Sequence, residues 1–121
     1  WLYHGLLVGP LVEAALCLDR LFASDFLAHS LLAQMQAVRT LGGPIPGRPW
    51  IAPGYGLGLM HGPVESGRIL SGHTGVGPGS VVAVYRSVCG PDITTCAVFS
   101  DGTDEGAVEA EAVRLLSEHW V

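Results

Sequence analysis

The apolar positions of the first forty residues recur at the spacing of two helices. Pro10 suits the first position of a helix, because its missing N–H costs nothing there. The apolar residues after it return every three or four positions, as one buried helix face requires: Leu11, Ala14, Ala15, Leu18, Leu21 and Phe22. A second stripe of the same kind follows: Leu27, Leu31, Leu32, Met35 and Val38. Ser24 or Asp25 can cap the helix that this second stripe predicts.

Strand patterns replace the helical ones further along the chain. Glycine and proline interrupt regular structure over residues 41–54, which predicts a loop there. Four apolar runs rich in strand-forming residues follow, separated by turns: residues 55–61, 68–74, 81–88 and 94–100. The last two runs lack alternating polar residues, so we expect both faces of their sheet to be covered.

A third helix is predicted at the end of the chain, where Asp101 or Thr103 can cap it. Its predicted buried stripe is Val108, Ala112, Leu115 and Leu116. Its predicted solvent side is acidic: Glu105, Glu109, Glu111 and Glu118. The resulting order is α-α-β-β-β-β-α. Consecutive strands with short connections predict an antiparallel sheet with flanking helices, an α+β fold that forms one unit over residues 1–121.

Composition and charge narrow the class of protein. The chain has 121 residues, of which 49% are apolar and 14% are charged. Such hydrophobicity excludes a disordered chain. No apolar run reaches the ~18 residues of a membrane-spanning helix. A net charge of −5 with only six basic residues argues against a nucleic-acid-binding surface.

Two residue types are missing from the sequence. All six basic residues are arginine, and the chain contains neither lysine nor asparagine. These residues alone therefore cannot house a mechanism that needs a lysine base. This composition is typical of a G+C-rich coding sequence and favours a bacterial source. The first residue is Trp1 rather than methionine, with no signal peptide before it, so we expect a piece of a longer protein, either cytoplasmic or exported.

The stretch of residues 71–75 carries the most chemical information. It reads Ser-Gly-His-Thr-Gly, and Val-Gly-Pro-Gly-Ser follows it. Glycines let another backbone approach closely, and a free amide at the end of a strand can stabilise an oxyanion. His73 can act as an acid, a base or a hydrogen-bond donor near neutral pH. A strand with this composition can lie against a substrate.

Several motifs occur along the chain in a fixed order. They are Trp-x-x-His-Gly-Leu-Leu-Val-Gly at 1–9, Tyr-Gly-Leu-Gly-Leu at 55–59, Gly-His-Thr-Gly at 72–75 and Pro-Gly at 78–79. In this order the chain resembles the C-terminal part of the serine β-lactamase-related family. That family contains class C β-lactamases, D-alanyl-D-alanine carboxypeptidases, D-aminopeptidases and family VIII esterases. The resemblance covers nearly the whole chain.

The resemblance implies acyl transfer through a covalent acyl-enzyme. The nucleophile of the family lies in a Ser-x-x-Lys motif, and a second base lies in a Tyr-x-Asn motif, both upstream of the region resembled here. Without lysine this chain cannot contain Ser-x-x-Lys, so we expect the isolated chain to be inactive. The resemblance implies a supporting catalytic role for His73, substrate contacts from Thr74 and Gly75, and an oxyanion N–H from Val76. Tyr55, beside the loop, is a candidate lining residue, and we expect no cofactor and no metal.

The third motif of the family bears on the substrate. Where this chain has His73, β-lactamases have a lysine, a fixed cation that suits a substrate carboxylate. A histidine side chain is mostly neutral at pH 7. We therefore predict that the parent protein hydrolyses a small-molecule ester or amide, or a peptide, rather than acting as an efficient β-lactamase.

Other classes of function stay open at this point. Taken alone, His73 is better explained as an ordinary strand histidine, and only the order of the motifs reverses this. The alternative is a non-catalytic α/β module that pairs its apolar surface with a partner or a second copy, burying residues 1–9 and the strands within 55–75. A metal site would need His61, His73 and two cysteines to converge. Ser71 has no motif that would activate it as a nucleophile.

The cysteines leave one structural question open. Cys89 and Cys96 flank a Gly-Pro-Asp turn. A six-residue loop would place the two opposite each other, where a disulfide can form. A four-residue loop would pair Cys89 with Thr94 and forbid that disulfide.

Overall fold

A computed structural model describes residues 9–118, which contain three helices and six strands. Their bounds are α1 Leu11–Ala23, α2 His29–Gln36, β1 Arg39–Thr40, β2 Gly54–Tyr55, β3 Met60–Pro63, β4 Ile69–Gly77, β5 Ser80–Cys89, β6 Asp92–Ser100 and α3 Glu105–Ser117. The predicted α+β class and the predicted order of helices and strands are confirmed, with two further short strands.

All six strands form one antiparallel sheet in sequence order, β1-β2-β3-β4-β5-β6. The three long strands are joined by two-residue turns. Gly77 pairs with Ser80 around the first turn, and Cys89 pairs with Asp92 around the second. Each turn contains a glycine in the left-handed region, Gly79 with φ 74° and Gly90 with φ 60°, which other residues rarely adopt.

The predicted strand over residues 55–61 is divided into two strands. Between β2 and β3 the chain turns back on itself, and the N–H of Gly56 donates to the carbonyl of Leu59 at 2.8 Å. Gly58 has a φ of 72° in this turn. The two glycines that thin the hydrophobic pattern therefore lie in the turn that separates the two strands. β1 lies within a stretch predicted as helix end and loop, because two residues are too few to leave a pattern.

The core lies between the sheet and α3. Its fully or nearly fully buried members are Trp50, Met60, Val64, Leu70, Val81, Ala83, Tyr85, Val108, Ala112 and Leu116. α1 packs against β5 and β6, yet no residue of α1 is fully buried. The expectation that both faces of the sheet are covered holds in part. On the α3 face Val81, Ala83 and Tyr85 of β5 are buried, but no residue of β6 is fully buried, and α1 leaves its side of the sheet half exposed.

Two helix caps differ from those predicted. The side chain of Asp104, rather than Asp101 or Thr103, accepts a hydrogen bond from the N–H of Ala107 at 3.1 Å and caps α3. No side chain caps α2, and Ser24 instead donates its hydroxyl to the carbonyl of Arg20 at the end of α1. Three acceptor side chains precede α3 within four residues, so the pattern alone could not choose among them.

The candidate disulfide between Cys89 and Cys96 is wrong. The turn between β5 and β6 has only two residues, so Cys89 stands opposite Asp92 and Cys96 stands opposite Tyr85. Four residues of strand then separate Cys96 from the partner position of Cys89, roughly 13 Å along the sheet. Both cysteines are free.

Gly72 is the glycine of β4 that the sheet itself requires. A Cβ at this position would lie 2.0 Å from the carbonyl oxygen of Val84 and 2.8 Å from Cδ1 of Tyr85. We expect Gly72→Ala to reduce the free energy of unfolding by more than about 2 kcal/mol, because β4 and β5 would have to separate. Urea unfolding followed by circular dichroism measures this loss.

Gly43→Ala is the matched control for this prediction. Its added Cβ would meet nothing within 4 Å. We expect its unfolding midpoint to stay close to that of the original chain. Equal stability of the two variants would contradict the close packing of β4 against β5.

Candidate functional site

Strand β4 has one open edge in its second half. β5 pairs with β4 along its whole length, from Ile69 to Gly77. β3 pairs with β4 only as far as Gly72, which stands opposite Met60. Within residues 9–118, no strand therefore covers the other edge of residues 73–77.

The register decides which backbone groups point at this open edge. Hydrogen-bonded and non-hydrogen-bonded pairs alternate along an antiparallel ladder. The two-residue turn closes on Gly77 and Ser80, so residues 77, 75 and 73 turn their backbone groups towards β5. The N–H groups of Thr74 and Val76 consequently point to the open edge. Val76 is 41% exposed, so this part of the edge is open to solvent.

His73 and Tyr55 meet beside this edge. The hydroxyl of Tyr55 lies 3.0 Å from Nε2 of His73, and the two rings are perpendicular with centroids 5.6 Å apart. Nδ1 of His73 lies 2.7 Å from the carbonyl oxygen of Thr74. Because a carbonyl can only accept, Nδ1 carries the hydrogen, and in the neutral ring Nε2 then accepts from the Tyr55 hydroxyl. The imidazole is thus held in one tautomer and one orientation.

Thr74 points to the opposite side of the strand. It is only 6% exposed, and its hydroxyl lies 2.6 Å from Oε1 of Glu109 and 2.6 Å from the hydroxyl of Tyr85. The polar group that Thr74 turns to the open edge is therefore its backbone N–H rather than its side chain. A substrate contact from Thr74 would therefore have to use its backbone and not its hydroxyl.

Glu109 is fully buried, so its predicted place on the solvent side of the last helix is wrong. Nε of Arg48 donates to Oε2 of Glu109 at 2.7 Å, and Nη2 of Arg48 donates to Oε1. A further donor of the same guanidinium reaches Glu105 at 2.8 Å. The carboxylate thus joins the loop before β2, the helix α3 and the strand β4.

The surroundings keep Glu109 ionised. Burial by itself raises the pKa of this carboxyl, but hydrogen bonds from Arg48 and Thr74, together with the charge of Arg48, outweigh burial and lower it. The indole N–H of Trp50 also lowers this pKa, although it lacks a hydrogen bond of standard geometry. Burial raises the pKa of the neighbouring Tyr85 hydroxyl, which stays protonated.

Ser71 meets an imidazole that sequence reasoning did not assign to it. Nδ1 of His61 lies 2.7 Å from the Ser71 hydroxyl oxygen, and the side-chain amide of Gln36 donates to the same oxygen at 3.2 Å. Burial lowers the pKa of His61, so its ring is neutral at pH 7. A serine beside a neutral imidazole resembles a nucleophile with its base. Ser71 is only 6% exposed, however, so an acyl substrate cannot reach it in this structure.

The predicted site residues are brought together in part. Tyr55 contacts His73, while Gly75 and Val76 follow along the exposed edge.

The convergence needed for a metal site is not seen, because the described part of the chain contains no group of three or more His, Cys, Asp or Glu side chains placed to hold one ion. No helix within residues 9–118 is long and apolar enough to cross a bilayer. The motif at 1–9 lies almost wholly outside the described residues.

A sequence signal for the burial of Glu109 did exist. Position 109 falls between Val108 and Ala112 on the same side of α3, which is the buried side. Arg48 left no such signal, because it lies in a loop of glycine and proline residues.

Comparison of the chain with models of protein families, with curated proteins and with solved structures found no match.

The Glu109 carboxylate yields a testable prediction about stability. Glu109→Gln removes one member of a buried ion pair and leaves Arg48 without its main partner, which should cost about 3 kcal/mol of unfolding free energy. Because folding lowers the pKa of Glu109, its contribution is complete above the pH at which an unfolded glutamate titrates (~4.3). The contribution is lost as the pH falls through the lower pKa of the folded carboxyl. The original chain and the variant should therefore converge in stability in acid, as urea unfolding over a pH series measures.

Glu111→Gln is the matched control on the same helix. Glu111 is paired with Arg114 at an exposed site, where ion pairs contribute little. We expect almost no change in stability. A constant difference between the original chain and Glu109→Gln at every pH would show that Glu109 acts by its shape and not by its charge.

Proposed function

We propose that this chain is the C-terminal part of a β-lactamase-related serine hydrolase that acts on an ester or amide through an acyl-enzyme. The observation that supports the proposal best is the open edge of β4 at residues 73–77. It coincides with the Gly-His-Thr-Gly motif on which the resemblance rests. A strand edge with a free amide and an oriented imidazole is what an extended acyl substrate would need.

In this proposal each residue of the edge has its own role. The N–H of Val76 donates a hydrogen bond to the carbonyl oxygen that becomes negative when the nucleophile attacks. His73, held by Tyr55 and by the carbonyl of Thr74, orients the substrate and the hydrogen bonds around the reacting carbonyl. Gly75 lets the substrate backbone approach the strand. The nucleophilic serine, its lysine and the second base come from the upstream part of the domain.

The chemistry of the edge favours a neutral acyl substrate. A histidine at position 73 is not the fixed cation that a lysine would place there for a substrate carboxylate. The nearest carboxylate to β4 is that of Glu109, and Arg48 neutralises it on the far side of the strand. An ester, an amide or a short peptide therefore fits this edge better than a β-lactam whose carboxylate needs a fixed cation.

A non-catalytic binding module is the second candidate. The observation that favours it is the apolar surface of α1 and of the sheet edge, where large side chains are between 40% and 64% exposed: Leu11, Val12, Leu16, Ile93 and Phe99. Surface of this kind is typical of a face that another chain or domain covers. A dimer that persists at low concentration and covers this surface would support that function.

The test of the hydrolase proposal is a substitution at the oxyanion amide. In the longer protein that contains this chain, Val76→Pro removes the N–H that points to the open edge. β4 keeps its hydrogen bonds to β5, because this N–H does not join that ladder. We expect kcat on a short-chain p-nitrophenyl ester to fall by about 10²-fold to 10³-fold. Val76→Ala keeps the N–H and should retain activity.

Three further results bear on the same proposal. The open reading frame upstream of Trp1 should encode Ser-x-x-Lys followed by Tyr-x-Asn. The longer protein should hydrolyse the p-nitrophenyl ester faster than nitrocefin, and faster turnover of nitrocefin would overturn the predicted substrate class.

The isolated 121-residue chain should not react with a fluorophosphonate probe. A saturable serine adduct on it would point to Ser71 and overturn the assignment of the nucleophile to the upstream part.

A further inference from the structure

Four polar side chains form a row across the sheet on the face where α1 lies. His61 stands opposite Ser71, Ser71 opposite Arg86, and Arg86 opposite Thr95. Residues directly opposite each other in an antiparallel sheet share a face, so the four side chains project to the same side of β3, β4, β5 and β6. A row of mostly buried polar groups in this position needs hydrogen-bond partners.

Arg86 is the one arginine of this row, and its hydrogen bonds are incompletely satisfied. Its side chain is 10% exposed, and Nε is buried without a hydrogen-bond partner among the described residues. Asp19 on α1 comes closest, with Oδ1 at 3.6 Å from Nε, beyond hydrogen-bonding distance. Thr95 donates its hydroxyl to that same oxygen at 3.0 Å, which holds the carboxylate to one side. A buried cation without full hydrogen bonding is costly.

The guanidinium is also held in one orientation. Cζ of Arg86 lies 5.2 Å from the centre of the Phe22 ring, so an aromatic side chain covers the guanidinium group on one side. The N–H donors lie in the plane of the group and point outward from its edge. A ligand must therefore approach in that plane, where two parallel N–H groups fit the two oxygens of a carboxylate.

We propose that Arg86 is a binding site for a carboxylate group, which enters beside α1 and takes the hydrogen bonds that Asp19 leaves unmade. A planar monoanion fits better than phosphate, because Phe22 covers one side of the guanidinium group and Asp19 repels a dianion. The source of the carboxylate is a small organic acid or an acidic side chain of a second protein chain. This site does not depend on the hydrolase proposal, because it uses neither the open edge of β4 nor His73.

Sodium acetate is the probe for the first experiment. The 121-residue chain is titrated with acetate in place of chloride at constant ionic strength, while the Nε–Hε resonance of Arg86 is followed by NMR. We expect a saturable shift of this resonance, with a thermal midpoint that rises along the same curve. The absence of a saturable shift, or a shift that follows only total salt, would overturn the proposal.

Three variants make this experiment specific. Arg86→Lys keeps the charge but loses the planar fork, and we expect acetate affinity to fall about tenfold. Asp19→Asn removes a competing negative charge, and we expect acetate to bind about fivefold more tightly. Arg114→Lys changes an exposed arginine of α3 and should leave the titration unchanged. Equal affinity of all three variants would mean that the acetate is adventitious, and it would overturn the site. If Arg86→Lys does not fold, the result with Asp19→Asn decides alone.

Sedimentation velocity separates the two sources of the carboxylate. A chain that stays monomeric at every concentration and binds acetate supports a small organic acid. A chain that self-associates, and that acetate dissociates, supports an acidic side chain of a second copy. Self-association that neither acetate nor Arg86→Lys changes would contradict a role for Arg86 in it.

Discussion

One buried carboxylate constrains how the parts of this molecule fit together. Glu109 is fully buried, and Arg48, which pairs with it, lies 61 residues earlier in the chain. A buried charge costs far more than it returns unless it is paired and hydrogen-bonded. The loop before β2 must therefore lie against α3, and α3 must lie against β4, where Thr74 donates its hydroxyl to the same carboxylate. Three segments that are distant in sequence share a single set of hydrogen bonds.

Because the Thr74 side chain is bonded to Glu109, the same constraint fixes which residues of β4 face outward at the candidate site. Successive side chains of a strand point to opposite faces, so a threonine held in the core turns His73 and Gly75 outward. β3 begins only at Met60, opposite Gly72 and one residue short of a partner for His73, and this leaves the second half of β4 with a free edge. Tyr55 then reaches the outward imidazole from β2. The outward placement of His73 and Gly75 thus follows from the burial of the Thr74 side chain, and the free edge follows from the start of β3 at Met60.

The two faces of the sheet differ in how completely they are covered and in how well their polar groups are hydrogen-bonded. The α3 face carries the core, and its buried polar groups form one network around Glu109 in which only the indole N–H of Trp50 lacks a standard hydrogen bond among the described residues. The α1 face is half covered, and its polar row from His61 to Thr95 contains a guanidinium that is paired with Asp19 but whose Nε has no hydrogen-bond partner among the described residues. The α3 face therefore holds the fold together, whereas the α1 face leaves part of its polar surface incompletely bonded.

The sequence by itself determined the three helices, the three long strands, the antiparallel order and the position of the Gly-His-Thr-Gly motif on β4. These features are local, because periodicity, turn residues and chain order encode them within a few residues of each other. Only the tertiary structure decided that Glu109 is buried, that Tyr55 meets His73, that Cys89 and Cys96 stand apart, and that Arg86 faces Phe22. Each of these depends on which surfaces pack across many residues of chain. The local pattern predicts which side of a helix or strand is apolar. Which segment packs against that side is decided by tertiary packing and by the pairing of buried charges.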